Sequence, residues 1–269
     1  IGYGTFQIKD AAQCEQCISE ALETGYRLFD TAASYENEAA IGMALRDSGL
    51  PREEWFVTTK LWVQDAGYDG TLRAFEHSLE NLGLDQIDLY LIHQPFGDYY
   101  GAWRAMERLY REGAVRAIGV SNFTPERLVD LCMNQEFKPM VNQIEIHPFF
   151  QQNTALRVME DYGVVPQAWA PLSEAQKDIF NHKTLAKIAD RHGKTAAQVI
   201  LRWHLQRKIP TIPKTVHRGR MAENLDVFDF ELTAKEMESI AGMDIGHSEI
   251  IDHHCFCTAR QLNSVKIHT

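Results

Sequence analysis

Short apolar runs alternate with longer stretches of helical spacing along nearly the whole of this chain. The runs are rich in β-branched and aromatic residues, and they end at polar residues or at Gly and Pro corners, which is typical of buried strands. Eight such runs are present: Gly2–Gln7, Tyr26–Asp30, Trp55–Lys60, Ile87–His93, Val115–Ser121, Met140–Glu145, Val164–Trp169 and Ile209–Lys214.

The stretches between the runs have the length and the apolar period of amphipathic helices. They are Asp10–Thr24, Glu36–Ser48, Asp69–Leu82, Gly101–Arg111, Pro125–Asn134, Thr154–Asp161, Thr184–His192, Ala196–Gln206, Arg220–Val227 and Ala234–Met243. Strands that alternate with helices predict a parallel sheet, and eight such units favour a closed (β/α)8 TIM barrel of the α/β class. No linker divides the chain, so we expect residues 1–269 to form one barrel domain in which 246–269 is a weakly periodic C-terminal tail.

Composition and charge narrow the possible partners. The 269 residues are 45% hydrophobic and 24% charged, as in ordinary globular proteins, and no apolar run is long enough for a membrane span. Lys and Arg number 27 against 37 Asp and Glu, and this balance of −10 argues against nucleic acid or an anionic membrane as the main partner. Five cysteines are too few for a disulfide framework, and no targeting segment is visible, so we expect a cytoplasmic protein.

Polar or aromatic side chains end seven of the eight predicted strands. In barrels of this kind the active site lies at that end, where strands run into the following loops. A single Asp in such a place most often caps a helix, whereas seven strand ends in succession indicate a functional site. The residues concerned are Asp30, Lys60, His93, Ser121 with Asn122, Gln143 with Glu145, Trp169 and Lys214.

Two types of reaction could use this set. A metal hydrolase needs several converging His and carboxylate ligands, and His93, His147, Asp30 and Glu145 are available. However, no strand carries a His-x-His pair, and Lys60 would place a cation among the ligands. We therefore predict no metal site.

The other reaction type is proton transfer to a carbonyl oxygen, with Tyr35 as the acid. Free tyrosine has a pKa near 10, and lowering it toward 7 takes roughly 4 kcal/mol, about what one ammonium about 4 Å away supplies at a dielectric near 20. Lys60 is the expected source of that charge, and Asp30 would keep Lys60 charged and oriented. His93 would then hydrogen-bond the carbonyl oxygen of the substrate.

Several of these strand ends resemble signatures of the aldo-keto reductase superfamily, in the same order along essentially all 269 residues. The segment Gly25–Tyr35, GYRLFDTAASY, is similar to the first signature and places Asp30 and Tyr35 at two positions of the catalytic tetrad. TTKLW around Lys60 and DLYLIH ending at His93 resemble the lysine and histidine signatures. The motifs HQP and HPFFQQ are most similar to the prokaryotic branch near the diketogluconate reductases.

The resemblance implies NADPH-dependent reduction of an aldehyde or ketone to an alcohol, with Tyr35 as the proton donor beside Asp30, Lys60 and His93. Hydride comes from the nicotinamide, so the protein positions the carbonyl and protonates its oxygen. Trp169 takes the place of an aromatic residue, more often Tyr, that stacks on the nicotinamide. The residues that the resemblance implies for NADPH/NADP+ are Ser121, Asn122, Gln143, Trp169, Lys214, Thr215, Arg220, Glu223 and Asn224.

The expected substrate pocket is formed by loops near the rim. Phe6 and Trp62 are interpreted as its wall, while Phe96 fits the pocket and ordinary loop packing equally well. The resemblance places the tail, residues 246–269, over this pocket, and its cluster His253-His254 with Cys255 and Cys257 is interpreted as variable tail, not as a metal site. The sequence does not define the physiological substrate.

A regulatory subunit that binds NADPH with little turnover is the alternative function, as in the potassium-channel β-subunits of the same superfamily. The four tetrad positions are all filled, and no extended N-terminal arm is present, so we favour an enzyme. We expect it to act on a small carbonyl compound as a monomer.

Overall fold

A computed structural model describes all 269 residues, and its centre is a parallel sheet in which every strand lies beside the next in the sequence. The seven strands are β1 (Tyr3–Gly4), β2 (Leu28–Asp30), β3 (Phe56–Leu61), β4 (Ile87–Ile92), β5 (Val115–Ser121), β6 (Val141–Glu145) and β7 (Val165–Trp169). They match seven of the predicted runs, although the first run is regular only over its second and third residues.

The eighth predicted run, Ile209–Lys214, closes the barrel without forming a regular strand. Its main chain is hydrogen-bonded to β7 at Ala168 and to β1 at Gly4, so it occupies the gap between the first and last strands. It contributes a single bridge residue to the sheet. Pro210 and Pro213 lack the N–H groups that a regular ladder needs, which explains the difference. The chain is therefore a (β/α)8 barrel, as predicted.

Helices surround the sheet and follow the predicted stretches closely. They are α1 (Ala11–Thr24), α2 (Glu38–Asp47), α3 (Tyr68–Leu82), α4 (Tyr99–Arg111), α5 (Pro125–Asn134), α6 (Asn153–Tyr162), α7 (Lys183–His192), α8 (Ala196–Gln206), α9 (Arg218–Leu225), α10 (Ala234–Ala241) and α11 (Phe256–Ser264). The last of these, α11, was not predicted, because the tail alternates polar and apolar residues without a clear helical period. No helix of the chain combines the length and the apolar character needed to cross a bilayer.

Burial follows the sequence pattern. In α1 the buried residues recur every three or four positions, as Cys14, Cys17, Ile18, Ala21 and Leu22, so one face packs on the barrel. The whole of β4 is buried, which is expected for a parallel strand covered by helices outside and by barrel contents inside.

Candidate active site

A cavity of about 680 Å³ opens at the carboxyl ends of the strands, inside the ring of connecting loops. Asp30, Tyr35 and His93 line it together, although they belong to separate parts of the sequence. Parallel strands direct their carboxyl ends to the same rim, so residues more than sixty positions apart meet there. This is the predicted location of the site.

The Lys60 ammonium lies under the cavity and contacts both Asp30 and Tyr35, two of the residues predicted to be catalytic. Its Nζ donates to Asp30 Oδ1 at 2.5 Å and to the carbonyl oxygen of Thr31 at 2.8 Å, and it lies 3.5 Å from Tyr35 Oη. Gln143 Nε2 donates to the other Asp30 oxygen at 2.6 Å. The lysine and aspartate side chains are buried almost completely, so their charges stabilise one another with little screening by water.

The structure corrects the expected pKa of Tyr35. Burial raises this pKa above its ordinary value of 10, and the Asp30 carboxylate adds to the rise, while Lys60 acts in the opposite direction. The expected lowering of the pKa considers the Lys60 ammonium alone, whereas in the structure the Asp30 carboxylate lies directly beside that ammonium. Tyr35 is consequently protonated at neutral pH, which is the form that can donate a proton.

His93 is a neutral imidazole in this arrangement. Burial, the Lys60 charge and His253 lower its pKa well below 6.5. Ser34 Oγ lies 3.3 Å from its Nδ1, so a hydroxyl that donates to Nδ1 leaves the ring hydrogen on Nε2. The ring of Trp62 meets the imidazole edge-on, with centroids 5.3 Å apart, and fixes its orientation.

The wall formed by β5, β6 and β7 carries Ser121, Asn122, Gln143 and Trp169, all of which line the cavity. Asn122 has a left-handed backbone with φ of 62°, which Asn tolerates better than most residues. Its side-chain oxygen accepts from Trp169 Nε1 at 2.8 Å, and this bond fixes the indole at the rim.

The same wall fits the amide of a nicotinamide. Gln143 donates both amide hydrogens, to Asp30 and to Gln167, and its Oε1 accepts no hydrogen bond within the protein. A free amide oxygen in the cavity wall is a suitable acceptor for a carboxamide N–H₂ group. The half-buried ring of Trp169 lies beside it.

The residues expected to bind the adenosine 2′-phosphate and the adenine lie farther from the cavity, along α9 and the segment that closes the barrel. Lys214 lines the cavity, whereas Thr215, Arg220, Glu223 and Asn224 lie outside its wall. Arg220 is exposed in the first turn of α9, and no carboxylate lies within ion-pair distance of it. Glu223 is already engaged, because it accepts from Thr195 Oγ1 at 2.7 Å.

The mouth of the cavity is mostly apolar. Phe6 packs on Tyr35 with ring centroids 5.0 Å apart, and Trp62 closes the opposite side. Phe96 lies outside the wall, buried beneath the guanidinium of Arg127, so loop packing is the correct interpretation for this residue.

The tail, residues 246–269, forms another part of the wall, to which it contributes Ile250, Ile251, His253, Leu262 and Val265. The segment that follows β7 also lines the cavity, with Ala170, Pro171, Leu172 and Glu174. Trp62 Nε1 donates to the carbonyl oxygen of Val265 at 3.0 Å, which attaches the end of α11 to the rim. These tail residues were not singled out from the sequence, with the exception of His253.

A buried network below the tail was also missed. Glu145, at the end of β6, binds His147 Nε2 at 2.9 Å and accepts from Ser248 Oγ at 2.6 Å. The same Ser248 oxygen accepts the main-chain N–H groups of Ile250 and Ile251. The network therefore holds the two isoleucines in the cavity wall. Only the proximity of two distant segments, 145–147 and 248–251, reveals the network. No group of three or more Cys, His, Asp or Glu side chains is placed to hold a metal ion.

Comparison with known proteins agrees with the fold and with the family resemblance. The Aldo/keto reductase family model matches residues 1–245. Glyoxal reductase of Bacillus subtilis (strain 168) is 45% identical over 244 residues, which are 90% of this chain and 88% of that protein. Among solved structures, the aldo-keto reductase MGS-M4 from a deep-sea metagenome library has a TM-score of 0.90 and 45% identity, covering 93% of this chain and 95% of its own. A Bombyx mori aldo-keto reductase in complex with NADP has a TM-score of 0.88 and 33% identity, covering 94% and 91%.

The fold and the rim residues define a barrel oxidoreductase that acts on carbonyl compounds. The chain belongs to the aldo/keto reductase family.

Proposed function

We propose that this enzyme reduces small aldehydes or ketones with NADPH and that Tyr35 donates the proton. The observation that carries the proposal is the contact of the Lys60 ammonium with both Asp30 Oδ1, at 2.5 Å, and Tyr35 Oη, at 3.5 Å. A cation at that distance stabilises the phenolate that forms when the proton leaves. The cofactor of the reaction is NADPH/NADP+.

The cofactor, when bound, supplies the hydride. Ser121, Asn122 and Gln143 would hold its carboxamide, and Trp169 would lie against the nicotinamide ring. The residues that would hold the adenosine 2′-phosphate and the adenine are Lys214, Thr215, Arg220, Glu223 and Asn224. The fit rests on the free Gln143 Oε1 and on the unpaired cations at the phosphate end.

The protein's own part is to orient the carbonyl and to move one proton. The neutral His93 donates its Nε2 hydrogen to the substrate oxygen, which directs that oxygen toward Tyr35. The proton passes from Tyr35 Oη to the oxygen as the alcohol forms, and Lys60 stabilises the resulting charge while Asp30 keeps Lys60 in place. Phe6 and Trp62 exclude water from this exchange.

Replacing Tyr35 with Phe tests the assignment. The hydroxyl has one polar neighbour, Lys60, so the change removes the acid without opening a cavity. We expect kcat to fall by roughly a hundredfold or more, while the Kd of NADPH, measured by fluorescence titration, stays nearly unchanged. A variant that keeps more than about a tenth of wild-type kcat would exclude Tyr35 as the acid. Absence of turnover in the wild type with intact NADPH binding would instead support a regulatory subunit.

The working form is proposed to be a cytoplasmic monomer that binds neither membrane nor nucleic acid. The net charge of −10 and the five free cysteines support this setting. Size-exclusion chromatography with light scattering checks the monomer.

A further inference from the structure

Two thiols lie close together at the start of α11, outside the catalytic machinery. Cys14, Cys17 and Cys132 are buried, whereas Cys255 is half-buried and Cys257 is exposed. Reaction with dissolved oxidants depends on access and on the thiolate form, so the two sulfurs of the tail are the ones open to attack.

The local geometry couples these two residues. Cys255 caps α11 with an extended backbone, φ −77° and ψ 130°, and its Sγ accepts the N–H of Cys257 at 3.2 Å. Residues two apart in such a turn have Cα atoms roughly 5 to 7 Å apart, within the range that a disulfide spans.

The same contacts make the two thiols unequal. The Cys257 side chain and the first N–H groups of the helix lower the pKa of Cys255, while the contact with Cys255 raises the pKa of Cys257. Burial raises the pKa of Cys14 to about 12, which keeps that thiol inert. Cys255 is thus the thiol suited to attack, with Cys257 as its resolving partner.

We propose that Cys255 and Cys257 form a peroxide-sensitive dithiol that is converted to a disulfide and thereby alters the substrate pocket. Cys255 thiolate attacks one oxygen of hydrogen peroxide, the O–O bond breaks, and Cys255 becomes a sulfenic acid as the first water leaves. Cys257 sulfur then attacks the Cys255 sulfur, the S–S bond forms, the S–O bond breaks, and a second water leaves. Two thiols are oxidised by two electrons, and peroxide is reduced to two waters.

The disulfide weakens the cap of α11. Cys255 precedes the helix, and in the reduced protein its Sγ accepts the N–H of Cys257. A disulfide sulfur is a poorer acceptor than a thiolate, so the first turn loses this cap when the bond forms. The first turn of a helix opens at little cost, which makes this change accessible.

Opening of this turn affects the substrate pocket because α11 and the residue after it form part of the cavity wall. Leu262 and Val265 line the cavity, and the end of the tail is attached to the rim through Trp62 and Gln64. With that end attached, unwinding at Cys255 shifts Leu262 against the pocket. This effect rests on the proposed substrate pocket, whereas formation of the disulfide does not.

The first test is mass spectrometry of the full-length protein treated with hydrogen peroxide. We expect the wild type to lose two hydrogens, with peptide mapping that places the bond between Cys255 and Cys257. Cys257→Ser should instead trap the Cys255 sulfenic acid, detected with dimedone, and the buried control Cys132→Ser should oxidise like the wild type. Labelling of Cys14, Cys17 or Cys132, or no disulfide at all, overturns the proposal.

The second test measures the effect of the disulfide on the substrate pocket, separately from the formation of the disulfide. In the oxidised wild type we expect KM for a bulky aromatic aldehyde to rise by roughly threefold or more, reversibly with dithiothreitol, while the Kd of NADPH is unchanged. The Cys255→Ser, Cys257→Ser variant should keep its KM under peroxide. A disulfide that forms without any change in KM would refute the coupling to the pocket and leave the reductase assignment untouched.

Discussion

Replacing Lys60 with Met tests the electrostatic arrangement on which the proposed chemistry depends. Methionine keeps most of the length and the apolar stem but removes the ammonium. The lost contacts are those of Nζ with Asp30 at 2.5 Å, with the Thr31 carbonyl oxygen at 2.8 Å and with Tyr35 at 3.5 Å.

The magnitude follows from the Tyr35 contact. A unit charge 3.5 Å from the phenolate oxygen stabilises it by about 5 kcal/mol at an effective dielectric near 20. The Asp30 carboxylate cancels part of this, so about 2 to 4 kcal/mol remains, or roughly 30-fold to a thousand-fold in the rate of the chemical step.

The pH dependence has a definite sign. Reduction needs protonated Tyr35, so the rate is full below its pKa and is lost as the pH rises through it. Burial already raises this pKa, and Lys60 is the group that lowers it. Without Lys60 the pKa rises further, and the alkaline fall in rate should move to higher pH while the maximal rate drops.

The assay is single-turnover reduction at saturating NADPH, which isolates the chemical step from product release. A paired variant separates stability from catalysis. Lys60→Met alone leaves the buried Asp30 charge unpaired, at a cost of about 3 to 5 kcal/mol in the free energy of unfolding, and the double variant with Asp30→Asn removes that charge. We expect the double variant to recover stability without recovering the rate. A folded Lys60→Met protein whose single-turnover rate stays within about threefold of the wild type would refute the role of Lys60.

Two further predictions concern recognition. Arg220→Ala should weaken the binding of NADPH by roughly 2–4 kcal/mol and leave the binding of NADH almost unchanged. Arg218→Ala is the matched control, because Arg218 is paired with Glu23 at 2.9 Å. Equal losses of affinity for both cofactors in Arg220→Ala would contradict the assignment. Carboxylate substrates should be disfavoured, because Lys214 is the only Lys or Arg in the cavity wall and burial lowers the pKa of His253 to about 4. We expect kcat/KM for 4-carboxybenzaldehyde to be at least about tenfold below that for its methyl ester, and equal values would disprove the argument.

The barrel and its rim could be predicted because both depend on local patterns. A buried strand of a parallel sheet is an apolar run whatever its partners are, and a polar residue at its end faces the rim in any closed barrel. Asp30, Lys60 and His93 were identifiable in this way from three separate strands. The irregularity of the eighth run was harder to predict, because Pro210 and Pro213 lie in a run that is otherwise typical of a strand.

The electrostatics of the site could not be predicted in the same way, because they depend on which charges meet in space. From the sequence, Lys60 is a cation near Tyr35, and a cation by itself can only lower the pKa of the tyrosine. In the structure the Asp30 carboxylate contacts the Lys60 ammonium, and both side chains are shielded from water. Burial therefore decides the direction of the shift and raises the pKa of Tyr35.

The residues expected to bind the 2′-phosphate of the cofactor also could not be ranked from the sequence. Lys214, Arg218 and Arg220 form one basic cluster in the sequence, and nothing in their spacing ranks them. In the structure Arg218 reaches back to Glu23 on α1, the first helix of the barrel, while Arg220 has no acidic partner. The Arg218–Glu23 pair is exposed, so a phosphate displaces the carboxylate at a cost of about 0 to 1 kcal/mol, a small cost that the unpaired Arg220 does not have. Selectivity for the 2′-phosphate should therefore depend on Arg220 more than on its neighbour two residues earlier.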